Sequence, residues 1–220
     1  MTKPHSTPRR SGRQVQASRR SRLLLRLVLL GLPVLVLFIG LVLVRPSAQN
    51  DAPEEATADT SILIRSDSPI SGPADAPVTI VEFLDPECES CRAMAPVVKD
   101  ILQQYPNQVR LVVRYFPLHQ NSLLAAAVTG AAGQQGKYWE MQELLFERQL
   151  EWGEQREPQM ALFTNYALTL GLDIERWIAD SANTDIQATI ERDRVDGVAL
   201  GVQGTPTFFI NGRQLRMLSA

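Results

Sequence analysis

A strand, a helix and a second strand follow one another within residues 78–115. Val78–Leu84 is a mostly apolar, β-branched run of strand length, which is typical of a central strand covered on both faces. In Cys88–Tyr105 the apolar side chains recur at three- and four-residue spacing, a period that predicts a helix with one buried stripe. The residues of that stripe are Met94, Val98, Ile101, Leu102 and Tyr105. Val109–Tyr115 is strand-like again, and because such a unit requires a right-handed crossover between parallel strands, we expect an α/β sheet.

The segment after this unit has a helical pattern and then a hairpin pattern. From residue 118 to about residue 200 no strand pattern interrupts the helical one. Thr207–Ile210 and Arg213–Met217 flank the pair Asn211-Gly212, and Asn-Gly supplies the positive φ angles of a tight turn. The sequence therefore predicts a sheet completed by a hairpin, with a helical insertion at about 120–200.

Charge is distributed unevenly along the chain. The first fifty residues hold nine Lys and Arg residues and no Asp or Glu, whereas residues 51–220 hold 13 basic and 24 acidic residues. The total charge of −2 therefore conceals a basic amino terminus and a remainder with a formal charge of −11. Leu27–Val44 has no charged side chain, and as a helix it spans roughly 27 Å, close to the hydrocarbon thickness of a bilayer.

We expect residues 23–44 to form a single transmembrane helix, preceded by a basic cytoplasmic tail at 1–22. The basic flank keeps the amino terminus inside, which sends the acidic part of the chain across the membrane. The predicted location is a bacterial inner membrane, with the folded domain on the periplasmic or otherwise extracytoplasmic side. A flexible linker rich in Ala, Pro, Ser, Asp and Glu is expected at 45–75, with Ile62–Ile64 as a possible short strand. The domain itself is assigned to 76–220.

Other interpretations of the amino terminus stay open. A cleaved signal peptide would have a shorter apolar core and a small-x-small site, which Val44–Ala48 matches poorly. Ser18–Leu23 resembles a twin-arginine export signal, although Arg22 stands where an aromatic residue is usual. Because the basic tail directly precedes the apolar segment, we expect it to meet anionic lipid and not nucleic acid.

The chain contains two cysteines, Cys88 and Cys91, placed where the first strand meets the helix. Unpaired backbone N–H groups and the helix dipole favour an anion at a helix N-terminus, so the pKa of Cys88 should fall. Its thiolate is the species that attacks disulfides. Cys91, one turn further on, can reach back and resolve the mixed disulfide formed with a substrate. This placement predicts a thiol–disulfide oxidoreductase with Cys88 as the nucleophile and Cys91 as the resolving thiol.

A structural disulfide, a metal site and a pair of buried thiols are the alternatives. A bridge that closes so small a loop would remove little chain entropy. Zinc normally takes four ligands, and beyond the two sulfurs the part after the apolar segment offers one histidine, His119. We expect no metal and no other dissociable cofactor, because the disulfide itself stores two electrons. A membrane-tethered peptide-binding or chaperone module with an inert disulfide, and a metal-delivery protein using His119, stay open as other functions.

Cys88–Pro96 resembles the active-site helix of the thioredoxin superfamily, including a proline five residues after the second cysteine. The resemblance covers about Val78–Leu215 and implies a thioredoxin-like fold. In that superfamily an acidic residue is buried six positions before the first cysteine, which makes Glu82 the implied proton acceptor for Cys91. A Glu that faces solvent at a strand edge is the alternative, since charged residues are seldom fully buried.

Gly204–Thr207 resembles the cis-proline loop of the same superfamily. If Pro206 is cis, the loop faces the cysteines, and the backbone at Thr205 can pair with an extended substrate peptide. A proline that only marks the start of a strand is the alternative. The long helical stretch resembles the insertion of the DsbA-like branch. We expect cysteine-containing exported proteins as substrates, and a separate redox partner, membrane-bound or soluble, that resets the disulfide.

The chain departs from the DsbA-like pattern in two places. Glu89 and Ser90 stand between the cysteines in place of Pro-His, and an adjacent carboxylate disfavours a thiolate, so the direction of exchange is not fixed. Thioredoxin-like domains usually finish with a helix after the last hairpin, whereas eight residues follow Gly212 here. We therefore expect one sheet face to be thinly covered unless the helical insertion covers it. His119 is expected to be a hydrogen-bonding structural residue.

Overall fold

The computed structural model describes residues 59–216. The predicted cytoplasmic tail, the predicted transmembrane helix and residues 45–58 of the predicted linker lie outside the described residues. Among residues 59–216 we find no helix with the length and apolar character needed to span a bilayer. The strands are β1 (Ile70–Ser71), β2 (Val78–Leu84), β3 (Val109–Tyr115), β4 (Thr207–Ile210) and β5 (Arg213–Gln214). The helices are α1 (Thr60–Leu63), α2 (Glu89–Gln104), α3 (Ser122–Gly133), α4 (Tyr138–Glu147), α5 (Gln149–Trp152), α6 (Met160–Thr169), α7 (Ile174–Ser181) and α8 (Thr184–Ala199).

The five strands form one mixed sheet in the order β1-β3-β2-β4-β5. β2 and β3 are parallel, with Val78 opposite Val109 and Leu84 opposite Tyr115. The other neighbouring strands pair antiparallel. The predicted crossover unit is confirmed, because α2 connects these two parallel strands. β2 is central and its last five residues are all buried, which accounts for its nearly continuous apolar run.

Both faces of the sheet carry buried apolar side chains. On the first face, strand residues pack against α2, α3 and α4 around Leu84, Leu111, Val113, Val98, Ala127 and Phe146. On the second face, strand residues pack against α1 and the segment after α8 around Val81, Phe83, Val112, Phe209, Leu63 and Val202. The sequence predicted that one sheet face is thinly covered unless the helical insertion covers it, and in the described part of the chain both faces are buried. The buried stripe of α2 ends before Tyr105, which is 46% exposed.

Six helices, α3–α8, occupy the chain between β3 and β4, as the helical pattern predicted. Helices α3–α7 build a separate apolar cluster in which Trp152 and Trp177 are fully buried. Each indole N–H donates to a backbone carbonyl, that of Leu145 for Trp152 and that of Val128 for Trp177. A large ring buried with its N–H satisfied adds apolar contact without the cost of an unpaired donor. α8 packs back onto β3 and α3 and so joins the cluster to the sheet.

Residues 60–71 are part of the folded domain, which corrects the predicted extent of the linker to residue 75. Within the apolar island Ile62–Ile64, the first two residues belong to helix α1 and Ile64 follows its end, so the island forms no strand. The strand of this region is β1, which pairs antiparallel with β3. A three-residue apolar run is too short for its period to distinguish helix from strand. The polar composition around it is typical of a linker and gives no sign of its contacts with the domain.

One buried arginine holds this amino-terminal segment to the domain. Arg114 of β3 is fully buried and donates to the carbonyl oxygens of Ile62 and Leu63, at 2.6 and 2.8 Å. Its remaining donors reach carboxylates of α8, Asp193 at 2.8 Å and Asp196 at 2.5 Å. The charge of Arg114 is thereby paired, which is the condition for burying a guanidinium.

The predicted hairpin is confirmed. β4 and β5 pair antiparallel, and the turn residues Asn211 and Gly212 have φ angles of 48° and 83°. Those positive angles are the reason that Asn-Gly favours such a turn. β5 comprises Arg213–Gln214 and is shorter than the predicted second arm, whose last residue, Met217, lies outside the described residues.

Candidate active site

Cys88 occupies the cap position immediately before helix α2. Its backbone is extended, with φ −72° and ψ 124°, and its N–H donates to the carbonyl oxygen of Asp85 at 3.1 Å. The Cys88 carbonyl accepts the N–H of Arg92, so the first helical hydrogen bond begins at the cysteine. Cys88 is 8% exposed and Cys91 is fully buried, and both are free thiols. The end of β2 and the start of α2 thus leave Cys88 slightly exposed and enclose Cys91 completely.

The pKa of Cys88 is lowered to about 5. The largest cause is the hydrogen bond from the Cys91 thiol, and it outweighs the opposing effect of burial. Hydrogen bonds from the backbone N–H groups of Ser90 and Cys91 lower it further. These backbone donors are the unpaired groups of a helix N-terminus, so Cys88 is a thiolate at neutral pH.

The pKa values of Cys91 and Glu82 are both raised, in contrast to that of Cys88. The pKa of Cys91 is raised, first because its thiol donates to Cys88 and then because it is buried. Glu82 lies on β2 with 4% exposure, and burial, together with the charge of Cys88, raises the pKa of its carboxyl to about 8. The negative charge of Glu82 also contributes to the raised pKa of Cys91, so the two groups interact. At pH 7 the carboxyl of Glu82 and the thiol of Cys91 are therefore both neutral.

The Glu82 side chain borders a groove of about 570 Å³ between α2 and α4. The groove has apolar walls that include Pro96, Trp139 and Phe146, and charged residues that include Lys99 and Glu143. Within residues 59–216 no hydrogen bond stabilises the Glu82 carboxylate, in agreement with the raised pKa of this group.

The loop before β4 lies against Cys88. The Thr205–Pro206 peptide bond is cis, and Cys88 Sγ lies 3.3 Å from the carbonyl oxygen of Thr205. The hydroxyl of Thr207 donates to the Gly204 carbonyl at 2.7 Å, which closes the loop on itself. Pairing of Thr207 with Phe83 then aligns this loop with the end of β2. The structure thus brings Cys88, Cys91, Glu82, Thr205 and Pro206 into one region.

Asp85 is a residue of this region that the sequence analysis missed. It is fully buried one turn before Cys88, and its carboxylate accepts the N–H groups of Glu87 at 2.8 Å and Leu118 at 2.7 Å. It also accepts the hydroxyl of Ser122 and lies 2.7 Å from His119 Nδ1. An Asp directly after a strand, two residues before a backbone N–H that needs a partner, is the local signal that would have indicated it.

Gln149 is a second residue that the sequence analysis missed. Its side-chain amide donates to the carbonyl oxygens of Pro86 and Cys88, at 2.8 and 3.1 Å, and the residue is 3% exposed. It comes from helix α5 of the insertion and so fixes the cysteine loop to the helical layer. Its partners lie more than sixty positions away in sequence, and no local pattern marks such a contact.

Within residues 59–216 no group of three or more His, Cys, Asp or Glu side chains is arranged to hold a metal ion.

Comparison with known proteins identifies relatives of two kinds. The sequence matches the family described as Thioredoxin over residues 65–219. It is 37% identical over 147 residues, 67% of this chain, to the Na⁺/H⁺ antiporter NhaA of Herminiimonas arsenicoxydans, of which that match covers 23%. The chain spans less than a quarter of the length of the curated relatives it matches.

Solved structures resemble about seven-tenths of this chain. A thioredoxin-like oxidoreductase from Silicibacter pomeroyi DSS-3 superposes with a TM-score of 0.63 at 30% identity, covering 72% of this chain and 88% of that one. The thiol-disulfide exchange protein α-DsbA2 from Wolbachia pipientis has a TM-score of 0.62 at 21% identity, with coverage of 71% and 82%. The fold is thus thioredoxin-like, an α/β arrangement with a mixed sheet and helices, and its structural neighbours include DsbA-like proteins. Because the family match covers well over half of its residues, this chain belongs to the thioredoxin family.

Proposed function

We propose that this chain exchanges thiols and disulfides with cysteine-containing exported proteins through Cys88 and Cys91. The observation that carries the proposal is the position of the Cys88 sulfur, at the start of α2 and 3.3 Å from the Thr205 carbonyl, with a pKa lowered to about 5. A thiolate present at neutral pH is both a nucleophile and a good leaving group. Cys91 lies within hydrogen-bonding reach of it and rests protonated, so it needs a base to remove its proton before it can resolve a mixed disulfide.

In the oxidising direction the exchange takes two steps. A substrate thiolate attacks Cys88 Sγ of the Cys88–Cys91 disulfide, the bond between the two sulfurs breaks, and Cys91 leaves as a thiolate that takes a proton from Glu82. A second substrate thiolate then attacks the substrate sulfur of the mixed disulfide, and Cys88 leaves as a thiolate. The substrate gains a disulfide, and two electrons pass to the protein. The same steps in reverse reduce a substrate disulfide.

Glu82 is the proton-transfer group in this proposal. Its pKa of about 8 means that both of its protonation states are accessible near neutral pH, which is the condition for efficient general acid–base catalysis. As an acid it protonates the leaving Cys91, and as a carboxylate it deprotonates Cys91 in the reducing direction. Its interaction with Cys91, seen in the pKa of that thiol, supports this role.

Thr205 and Pro206 form the substrate-contacting loop in this proposal. The loop lies beside the nucleophilic sulfur, and β4 begins directly after it. An extended substrate segment that pairs with the backbone at Thr205 would present its cysteine to Cys88, with main-chain hydrogen bonds giving affinity that depends little on sequence.

The domain works in this proposal on the extracytoplasmic side of a bacterial inner membrane, tethered by the apolar segment at 23–44. The charge asymmetry of the amino terminus supports this orientation. A separate redox partner, membrane-bound or soluble, resets Cys88 and Cys91 after each exchange. In a variant with both native cysteines replaced by serine, single cysteines introduced before and after the apolar segment can be labelled with a membrane-impermeant reagent, which should reach the second position alone.

Trapping of mixed disulfides tests the exchange itself. In a Cys91→Ser variant of the full chain, the mixed disulfide formed through Cys88 cannot be resolved, so protein adducts should accumulate on a non-reducing gel and vanish with reductant. A Cys88→Ser variant is the matched control and should form none. If neither variant forms adducts, the chain is a binding module with inert cysteines and the proposal is wrong.

A further inference from the structure

Three residues that border the groove between α2 and α4 have side-chain polar atoms without a protein partner. Arg92 Nε and Gln142 Oε1 are buried atoms, and neither has a hydrogen-bond partner within residues 59–216. No hydrogen bond from those residues stabilises the Glu82 carboxylate either. A buried donor or acceptor is normally satisfied by protein or by ordered water, so the groove is where these three side chains obtain their partner.

The groove extends from the surface between the two helices to Glu82 on the sheet. Arg92 and Lys99 lie two turns apart on one face of α2, and Gln142 and Glu143 line the groove from α4. Lys99 and Glu143 form an ion pair from one helix to the other, with side chains 55% and 48% exposed, whereas Glu82 is 4% exposed. The groove volume of about 570 Å³ is many times the volume of one water molecule in the liquid, about 30 Å³. The groove therefore has room for several water molecules between solvent and Glu82.

The groove and the proposed substrate loop lie on opposite sides of β2. The strand residues that line the groove are Ser71 of β1, Leu111 of β3 and Glu82 of β2. The loop at Thr205–Pro206 instead precedes β4, which neighbours β2 on its other side in the order β1-β3-β2-β4-β5. In the described part of the chain, the residues that line the groove include neither cysteine. In the proposed exchange, a substrate joined to Cys88 at the loop therefore leaves the groove open to solvent.

We propose that this groove is the route by which Glu82 exchanges its proton with solvent, and that Arg92 and Gln142 are positioning residues that hold the water in it. The inference rests on the function proposed above and deepens it, because it states how the proton-transfer group is reset while a substrate covers the cysteines. When Cys91 resolves a mixed disulfide, its proton passes to the Glu82 carboxylate, its sulfur bonds to Cys88 Sγ, and the substrate sulfur leaves as a thiolate. Glu82 then releases that proton to the groove. In the oxidising direction Glu82 protonates the departing Cys91 and regains a proton from the groove.

Arg92 acts here through water and not as a counter-ion of Glu82. Within residues 59–216 no ion pair joins Glu82 to Arg92 or Lys99, and the raised pKa of Glu82 has two causes, burial and the charge of Cys88. A cation in direct contact would lower that pKa. The guanidinium and the carboxyl are thus separate groups that border one groove, and bridging water is the connection that their unpaired atoms favour.

A single-turnover reaction separates the step that needs the groove from the step that does not. The reduced full chain is mixed with a symmetrical disulfide of two identical cysteine peptides, quenched in acid at successive times and analysed by mass spectrometry. Attack by Cys88 forms the adduct, and resolution by Cys91 removes it. In Gln142→Leu, which keeps the side-chain size and loses the acceptor, attack should keep its wild-type rate because Cys88 is already ionised. Resolution should slow about tenfold in this variant and in Arg92→Met, because the proton-transfer group loses its route to solvent.

Imidazole provides a readout that a merely structural role would not change. It carries protons near neutral pH and is small enough to enter the groove. Resolution in Gln142→Leu should recover several-fold as imidazole is added, whereas N,N′-dimethylimidazolium, which has the same ring but no exchangeable ring N–H, should have no effect. The redox equilibrium with glutathione should stay at the wild-type value in this variant, because a proton route changes rates and not the free energies of the end states.

Gln103→Leu is the matched control, because Gln103 is exposed on α2, does not line the groove and undergoes the same substitution. Both steps should keep their wild-type rates in it. If resolution keeps its wild-type rate in Gln142→Leu and in Arg92→Met, or if imidazole fails to restore a slowed resolution, the groove is not the proton route and the proposed function stands. If only one of the two variants is slowed and restored, the other residue has no part in holding the water. If wild type forms no adduct with the peptide disulfide, the proposed function is wrong.

Discussion

Cys88 and Cys91 share one hydrogen bond, in which Cys88 is the acceptor and Cys91 is the donor. Cys88 accepts, at the start of a helix and beside Thr205, whereas Cys91 donates from the buried first turn. The position of Cys88 before a helix predicted the direction of its pKa shift from sequence alone. Thr205 lies 117 positions from Cys88 in the sequence, and only the folded sheet brings the two residues together.

Glu82→Gln is expected to stabilise the protein at neutral pH. The pKa of Glu82 is about 8 in the folded state and near 4.5 in the unfolded state, so between these values the folded state holds a proton that the unfolded state has lost. Stability therefore falls as pH rises through this range, by about 3 kcal/mol at pH 7. Glutamine cannot ionise and avoids this penalty, so urea unfolding should show a gain of about 2 kcal/mol at pH 7 and little change at pH 4.

The same variant should exchange disulfides more slowly, by up to about 10²-fold, because Cys91 loses its proton-transfer partner. Glu157→Gln, which removes an exposed carboxylate from the insertion, is the control and should alter neither property. Equal stability of Glu82→Gln and wild type at both pH values would show that ionised Glu82 is not penalised in the folded state.

At the scale of helices and strands, periodicity predicted the central unit closely. The bounds of β2 and β3 agree with the predicted strands, and those of α2 agree within one residue at each end. Long apolar runs and a repeated three- and four-residue spacing are strong local signals. α1 was missed because it has four residues and because two of its carbonyl oxygens accept hydrogen bonds from Arg114 of β3. The local sequence does not reveal a contact with such a distant element.

The candidate active site was predicted in part, since the motif residues were identified and the residues that support them were not. Cys88, Cys91, Glu82, Thr205 and Pro206 were identified from motifs, and the structure brings them together. Asp85, Gln149 and the link to His119 depend on side-chain contacts between distant elements. Such contacts follow from packing of the insertion on the sheet, which no single segment of the sequence encodes.

Helix α8 approaches the sheet closely at Gly197. A Cβ atom at this position would lie 2.7 Å from Phe116 Cδ2 and 3.2 Å from Phe83 Cδ1, and both rings are buried. Gly197→Ala should therefore destabilise the protein by about 1–2 kcal/mol, since overpacking exceeds the gain in helix propensity. Chemical denaturation measures this change.

Gly133→Ala is the matched control, at the end of α3, where the nearest atoms to a new Cβ are those of Tyr138 at 3.4 Å. It should be neutral or stabilising by about 0.5 kcal/mol, because ordinary van der Waals contact is kept and backbone entropy of the unfolded chain is reduced. If Gly197→Ala is as stable as this control, the rings of Phe116 and Phe83 can move to accommodate the new methyl group without loss of stability.

At the scale of the whole domain, Arg114 joins three parts of the chain that are far apart in sequence. It lies on β3, binds the carbonyls at the end of α1, and pairs with Asp193 and Asp196 of α8. Arg65, just after α1, also pairs with Asp196 at 2.7 Å. The segment that leads back toward the predicted membrane anchor is thus attached to the sheet by charges that are mostly buried.

Arg114→Met is expected to destabilise the domain by about 3–5 kcal/mol at pH 7, because removing one partner leaves buried carboxylates uncompensated. The pKa of Asp193 is already raised by burial and would rise further without the arginine. A carboxyl whose folded pKa lies above its unfolded one lowers stability as pH rises. The deficit relative to wild type should therefore be larger at pH 7 than at pH 4, which denaturation at the two pH values measures.

Arg194→Met is the matched control, because it removes an arginine from α8 without disturbing the buried charges around Arg114. Arg194 pairs with Glu191 on the exposed side of that helix, with side chains 44% and 59% exposed, so its removal should cost less than about 1 kcal/mol. Hydrogen exchange gives a second readout, because the amides around Leu63 should lose protection in Arg114→Met and keep it in Arg194→Met. If protection at Leu63 survives the loss of Arg114, apolar packing on the second sheet face is sufficient to hold the amino-terminal segment, and the buried charges serve another part of the fold.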